Sequence, residues 1–180
     1  MLKFFMRAKS FLAFLLLVFS TFVCRPAAAE GEGVDVVLHL SSQSAITFTS
    51  AQSSFNLTLA DFSNGSISDT AQIAYSITAN DVGRIQDNVM VRMDVLMDGI
   101  ALEARMDSFS ARGNEAHLVS KGSGFVTLNT FDQGVADKVT DQGDGKIVDG
   151  DMILSYRARA AADLAAGQHE ATVMVTFVDN

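Results

Sequence analysis

Residues 89–107 impose the tightest constraint on this chain. They read VMVRMDVLM, then Asp98-Gly99, then IALEARMD: two runs of alternating apolar and polar residues around a dipeptide suited to a tight reversal. A period of two belongs to strands. With a two-residue turn, Met97 faces Ile100, Val95 faces Leu102, Met93 faces Ala104 and Val91 faces Met106, and all eight share one face. A three-residue loop would set Val95 near Glu103 and mix the faces, so the even loop agrees with burial. The expectation is a hairpin with one apolar face. On its polar face Asp94 would meet Glu103 and Arg92 would meet Arg105, with the diagonals Arg92–Glu103 and Asp94–Arg105 offsetting the like charges.

The same alternation recurs along the chain. Val34, Val36, Leu38 and Leu40 interleave with Asp35, Val37 and His39; a shorter strand is expected at 46–49. Phe55, Leu57 and Leu59 form another run, ended by a turn at Asn64-Gly65, and Ile73, Tyr75, Ile77 and Ala79 form the next. Short strands are expected at 116–119 and 125–128, then at 152–156 and 169–178. Residues 131–151 hold six aspartates and four glycines without clear periodicity, which predicts a surface loop with one helical turn at 135–139. The alanine-rich stretch 158–166 reads as a strand end running into a loop. Many short strands, and no helical pattern of three turns, predict an all-β antiparallel two-sheet sandwich, immunoglobulin-like or jelly-roll-like. A closed β-barrel is the alternative.

The first 29 residues have the order of a secretory signal: cations at Lys3, Arg7 and Lys9, an apolar run over 11–23, and Ala27-Ala28-Ala29 as a site for cleavage. The remaining 30–180 would form a single domain. Removing the leader takes away four cations and no acid, so the formal net charge moves from −8 to −12. It also takes the only cysteine, Cys24, so the exported domain would depend on its core rather than on disulfides. Strong acidity argues against nucleic acid and anionic membrane surfaces as partners.

Candidate chemistry is sparse. His39, His117 and His169 lie too far apart in sequence to suggest a metal pair, and no nucleophile-elbow, S-x-x-K or H-E-x-x-H pattern occurs, so no catalytic residues are assigned and an enzyme is not expected. Met93, Met97 and Met106 could be copper(I) ligands, but their strand period explains them as core. Asp141, Asp144, Asp149 and Asp151, interleaved with glycines in the acidic loop, are the candidate ligands for calcium, although they do not follow the EF-hand register. The strand carrying Val34, Val36, Leu38 and Leu40 follows a Gly-containing lead. It could pair within its own domain or leave it to complete a neighbour's sheet.

Ala74-Tyr75-Ser76-Ile77-Thr78, and Ala166-Gly167 followed by Ala171-Thr-Val-Met-Val-Thr-Phe177, resemble the strand and closing segments of small exported bacterial β-sandwich proteins of the pilin and fimbrial-subunit type. The resemblance implies an immunoglobulin-like sandwich that polymerises at the cell surface by strand exchange. Its partners would be further copies or another exported β-sandwich protein, and Val34, Val36, Leu38 and Leu40 would be the donor-strand anchors. This chain lacks the disulfide cysteines of many such subunits. The alternative is a monomeric periplasmic or extracellular module that binds calcium or glycan through the acidic loop 131–151.

Overall fold

The computed structural model describes residues 32–41, 46–80, 88–164 and 167–178, and the signal-peptide reading lies outside them. They form eleven strands and no helix: β1 (Glu32–Ser41), β2 (Ile46–Ser50), β3 (Ser54–Leu59), β4 (Ala71–Ala79), β5 (Asn88–Met93), β6 (Ile100–Ala111), β7 (Ala116–Ser120), β8 (Val126–Thr127), β9 (Gln133–Thr140), β10 (Val148–Ala160) and β11 (Gln168–Val178). The all-β expectation therefore stands. Hydrogen bonding joins the strands in the order β2-β4-β10-β7-β9-β5-β11-β1-β3, and β6 pairs with both β10 and β8. The result is one curled sheet, a half-barrel.

The sheet is mixed, which corrects the antiparallel expectation. β1 runs parallel to β11 over nine pairs, from Gly33 opposite Gln168 to Ser41 opposite Thr176, and Val148 of β10 pairs in parallel with Ala116 of β7. Parallel neighbours need a long connection between them. Here the two strands of the main parallel pair lie at opposite ends of the described chain, so the whole fold is that connection.

The hairpin expectation holds only at its tip. Met97 and Ile100 form an antiparallel bridge around Asp98-Gly99, and Gly99 takes a φ of +70°. Beyond it the flanking strands part: β5 pairs with β11 and β9, whereas β6 pairs with β10 and β8. Val95 and Leu96 are left 52% and 57% exposed at the divergence. The turn thus carries the chain between two regions of the curled sheet. Each strand still buries the face that alternation marked, because Val91, Met93, Leu102, Ala104 and Met106 meet a core rather than one another's strand. A two-residue reversal fixes parity, but not the partner of either arm.

The acidic segment is also more ordered than its composition suggests. Residues 133–140 form β9, with Val135, Ala136 and Lys138 buried, and β10 begins at Val148. The predicted helical turn at 135–139 is a strand, and the true loop shrinks to 141–147, where Gly143 and Gly145 adopt φ of +60° and +65°. Long β10 organises this half of the sheet, carrying β4 on one edge and β6 on the other. Its register with β6 slips between Ile153 and Leu154, so Asp107 has no partner across the ladder. That bulge turns the Asp107 carboxylate to accept hydrogen bonds from Ser155 Oγ, from Gln72 Nε2 and from Arg105 Nε, the latter two at 2.9 Å. Burial pulls this carboxyl upward, but the three donors outweigh it and hold its pKa below the ordinary value.

Gly150 of β10 pairs with Ala111 at the end of the ladder with β6. A Cβ there would strike the Phe109 ring and lie 2.6 Å from the Ser110 carbonyl oxygen. Gly150→Ala should therefore cost about 1–3 kcal/mol in denaturant unfolding. Gly122→Ala, where no atom lies within 4 Å, should be close to neutral.

Candidate functional site

The first strand could by its sequence pair within its own domain or leave it for a neighbour's sheet, and here it pairs within its own domain. β1 lies between two strands: β11 on one edge, and β3, antiparallel, on the other over Glu32–Val37. Backbone register sets Val34, Val36, Leu38 and Leu40 opposite His169, Ala171, Val173 and Val175. Val36 is fully buried, whereas its neighbour Val37 is 46% exposed, the alternation expected of a strand with one face on a core. The flanking strands contribute Phe55, Leu57, Leu59, Ala171, Val173 and Val175, all buried. Taking β1 away would leave a slot with apolar walls on one face and two unpaired backbone edges, the kind of surface that accepts an extended peptide.

β1 is the first strand among the described residues, and the next described strand, β2, follows from its Ser41 end. Its partner β11 follows it by more than a hundred residues. Ordering so distant a pair carries a loop-closure cost that grows only slowly with length.

The four aspartates singled out for calcium do not converge. Asp149 and Asp151 stand two residues apart on β10, and Arg112 grips both: Nη2 and Nε lie 2.8 and 3.0 Å from Asp149 Oδ1, and Nη1 lies 2.7 Å from Asp151 Oδ1. Arg112 also donates to Ser76 Oγ at 2.9 Å, and Thr78 Oγ1 donates to Asp149 Oδ1 at 3.0 Å. Asp141 instead meets His117 Nδ1 at 2.6 Å, and the backbone N–H groups of Asp141 and Gln142 both donate to the Glu115 carbonyl. Asp144 lines an open depression of about 610 Å3 with Asn80, Glu115, Gly143, Lys146 and Ile147. Among the described residues, no group of three or more His, Cys, Asp or Glu side chains is placed to hold a metal.

The Arg112 guanidinium, through its hydrogen bonds, holds the Asp149 carboxyl below the ordinary carboxylate range. Because the folded-state pKa is the lower one, this pairing contributes stability above the unfolded value of about 4 and loses it as pH falls through the folded value. Arg112→Ala should flatten that part of the acid-unfolding curve while changing neutral-pH stability little, since the pair is solvent-exposed. Comparing urea midpoints of the two proteins from neutral pH down to about 3 checks the sign.

Sequence reasoning missed a second ionic cluster. Glu103, only 4% exposed, accepts from Arg157 Nε at 2.7 Å and from Arg159 Nε at 2.9 Å. The guanidinium groups of Arg157 and Arg105 lie 4.0 and 4.7 Å from the centre of the Phe125 ring. The expected Asp94–Glu103 pairing is absent, because their strands part; Asp94 Oδ1 instead accepts the Thr172 N–H at 2.9 Å. Arg157 and Arg159, two apart near the end of β10, were the available signal, since that spacing puts both on one face. Met93, Met97 and Met106 are buried with the apolar core, as their spacing indicated. No described helix is long and apolar enough to cross a membrane. The chain matches no family model and no curated protein.

Proposed function

We propose that this is an exported structural subunit whose first strand can be exchanged between copies, so that molecules assemble into surface fibres or cap a larger assembly. The observation that carries this reading is the position of β1, first of the described strands and held along both edges by β11 and β3. A second copy's β1 could make the same backbone hydrogen bonds, and the sequence leader and the resemblance of residues 74–78 and 171–177 to fimbrial segments point the same way.

We read the curled sheet as two sheets of an immunoglobulin-like sandwich, β2-β4-β10-β6-β8 and β7-β9-β5-β11-β1-β3. The only ladder pair linking the two sets in the described residues is Val148–Ala116. The chain turns that corner at residues 112–115, where the Arg112 and Gly113 N–H groups both donate to the Asp149 carbonyl.

Deleting residues 30–40 tests the function. The truncated protein should fail to form filaments in electron micrographs and should bind a synthetic peptide of residues 30–40, with protection of amides in β3 and β11. A full-length protein, freed of its leader, that stays monomeric at high concentration, together with a truncated form that ignores the peptide, would refute strand exchange.

A further inference from the structure

Asn64 is the only asparagine in the chain followed by glycine. With no side chain on the next residue, the main-chain nitrogen of Gly65 can approach the Asn64 side-chain carbonyl carbon, Cγ. In that reaction the Gly65 N–Cγ bond forms and the Cγ–Nδ2 bond breaks, and the Gly65 amide proton passes through solvent to the departing Nδ2, which leaves as ammonia. Water then opens the resulting succinimide ring to aspartate or isoaspartate. No oxidant or cofactor is needed.

The fold restrains this nucleophile. Residues 62–69 form a strap along the part of β10 that β4 does not cover. The Gly65 N–H donates to the Ala160 carbonyl at 2.8 Å, Ala160 N–H donates back to Ser66 O at 2.9 Å, and Ser68 N–H donates to Ala158 O at 2.9 Å. Asn64 N–H is tied to Asp163 Oδ1 at 2.9 Å, and Asp69 Oδ1 accepts the Thr58 N–H at 2.8 Å, fixing the strap's far end to β3. Asn64 itself is exposed, and no atom lies within 4 Å of where a Gly65 Cβ would stand, so water reaches the site. The reacting nitrogen is thus immobilised by its own hydrogen bond while everything else is accessible.

We propose that Asn64-Gly65 is a deamidation site gated by this strap, nearly inert while Gly65 N–H is bonded to Ala160 and reactive when the strap opens. The product is self-perpetuating. A carboxylate at this position stands one residue from Ser63, which already serves Asp61, and beside the Asp163 carboxylate that accepts the Asn64 N–H. Isoaspartate lengthens the main chain by one atom and moves the Gly65 N–H off its acceptor. A molecule that has spent time with the strap open is therefore marked irreversibly and closes it less well.

The test incubates the purified protein at mildly alkaline pH, folded and in urea, and follows deamidation at Asn64 and Asn129 by peptide mass and isoaspartate content. Conversion of Asn64 should be on the order of tenfold or more slower in the folded protein. In urea, Asn64 should outpace Asn129, whose next residue is threonine. Asp163→Ala, which removes the acceptor for Asn64 N–H, should raise the folded-state rate several-fold and leave the urea rate unchanged. Equal rates at Asn64 in folded and unfolded protein, a folded-state rate untouched by Asp163→Ala, or no preference for Asn64 over Asn129 in urea would each overturn the proposal.

Discussion

Val36→Asp is expected to cost about 3–5 kcal/mol at neutral pH, the penalty of an uncompensated charge in a packed interior. Val37→Asp, one residue along the same strand, should change stability by no more than about 0.5 kcal/mol. The contrast follows from burial: Val36 is fully enclosed between β11 and β3, and Val37 is half-exposed. For a domain of this size the difference corresponds to roughly 6–20 °C in Tm. The introduced carboxyl would have its folded-state pKa raised by burial. Between its unfolded and folded values the native state then holds the proton that the unfolded state has lost, so stability falls as pH rises through that window and recovers on acidification. The same variant separates two consequences of weakening β1. If the rest of the domain keeps its fold, a peptide of residues 30–40 with the wild-type sequence should occupy the vacated slot and restore the lost stability in proportion to its concentration. A variant whose stability matches that of Val37→Asp would show that the slot does not enclose this strand.

How much of this was legible in the residues depended on whether the controlling interaction was local. Alternation located most of the strands and the buried faces of β3, β4 and β11, because period two and burial are properties of one strand at a time. Partner choice is not such a property. The Asp98-Gly99 reversal was readable and present, yet nothing within 89–107 encodes that β5 will pair with β11 and β6 with β10, some eighty and fifty residues away. β9 was missed because composition misled: Asp132, Gly134 and Asp137 mask a strand whose buried set is Val135, Ala136 and Lys138, broken by the register slip opposite Val89 and Met90. The acidic candidates illustrate the same limit. Four aspartates clustered in sequence are scattered in space because Arg112, remote from them in the chain, claims two, and His117 claims a third. The first strand fared better, since its apolar period and its place ahead of the others in the chain were both visible. Its parallel pairing with the last strand was not.

The largest effect in the core that leaves shape untouched should come from the chain's only two tyrosines, Tyr75 on β4 and Tyr156 on β10. Their hydroxyls lie 2.8 Å apart, both side chains are enclosed, and the rings pack on Phe48 and Phe55 with centroids 5.4 and 4.8 Å away. Changing either tyrosine alone to phenylalanine strands one buried hydroxyl, which should cost about 1–3 kcal/mol. Changing both removes the polar pair and should return most of that loss, giving a strongly non-additive cycle in urea unfolding. Additive single losses would mean that the two hydroxyls do not depend on one another. Burial pushes the pKa of both phenols well above the ordinary value of about 10. The native state therefore keeps both protons at a pH where the unfolded chain has lost them. Stability from this pair is complete below about pH 10 and declines as the solution becomes more alkaline. With no tryptophan in the chain, tyrosinate absorbance reads this without interference. No ionisation should be seen in the folded protein near pH 10, and both groups should titrate together when the domain unfolds, so the alkaline transition and loss of β structure by circular dichroism should coincide. A phenol that ionises near pH 10 while the circular dichroism stays native would place that ring in solvent and contradict the packing of β4 against β10.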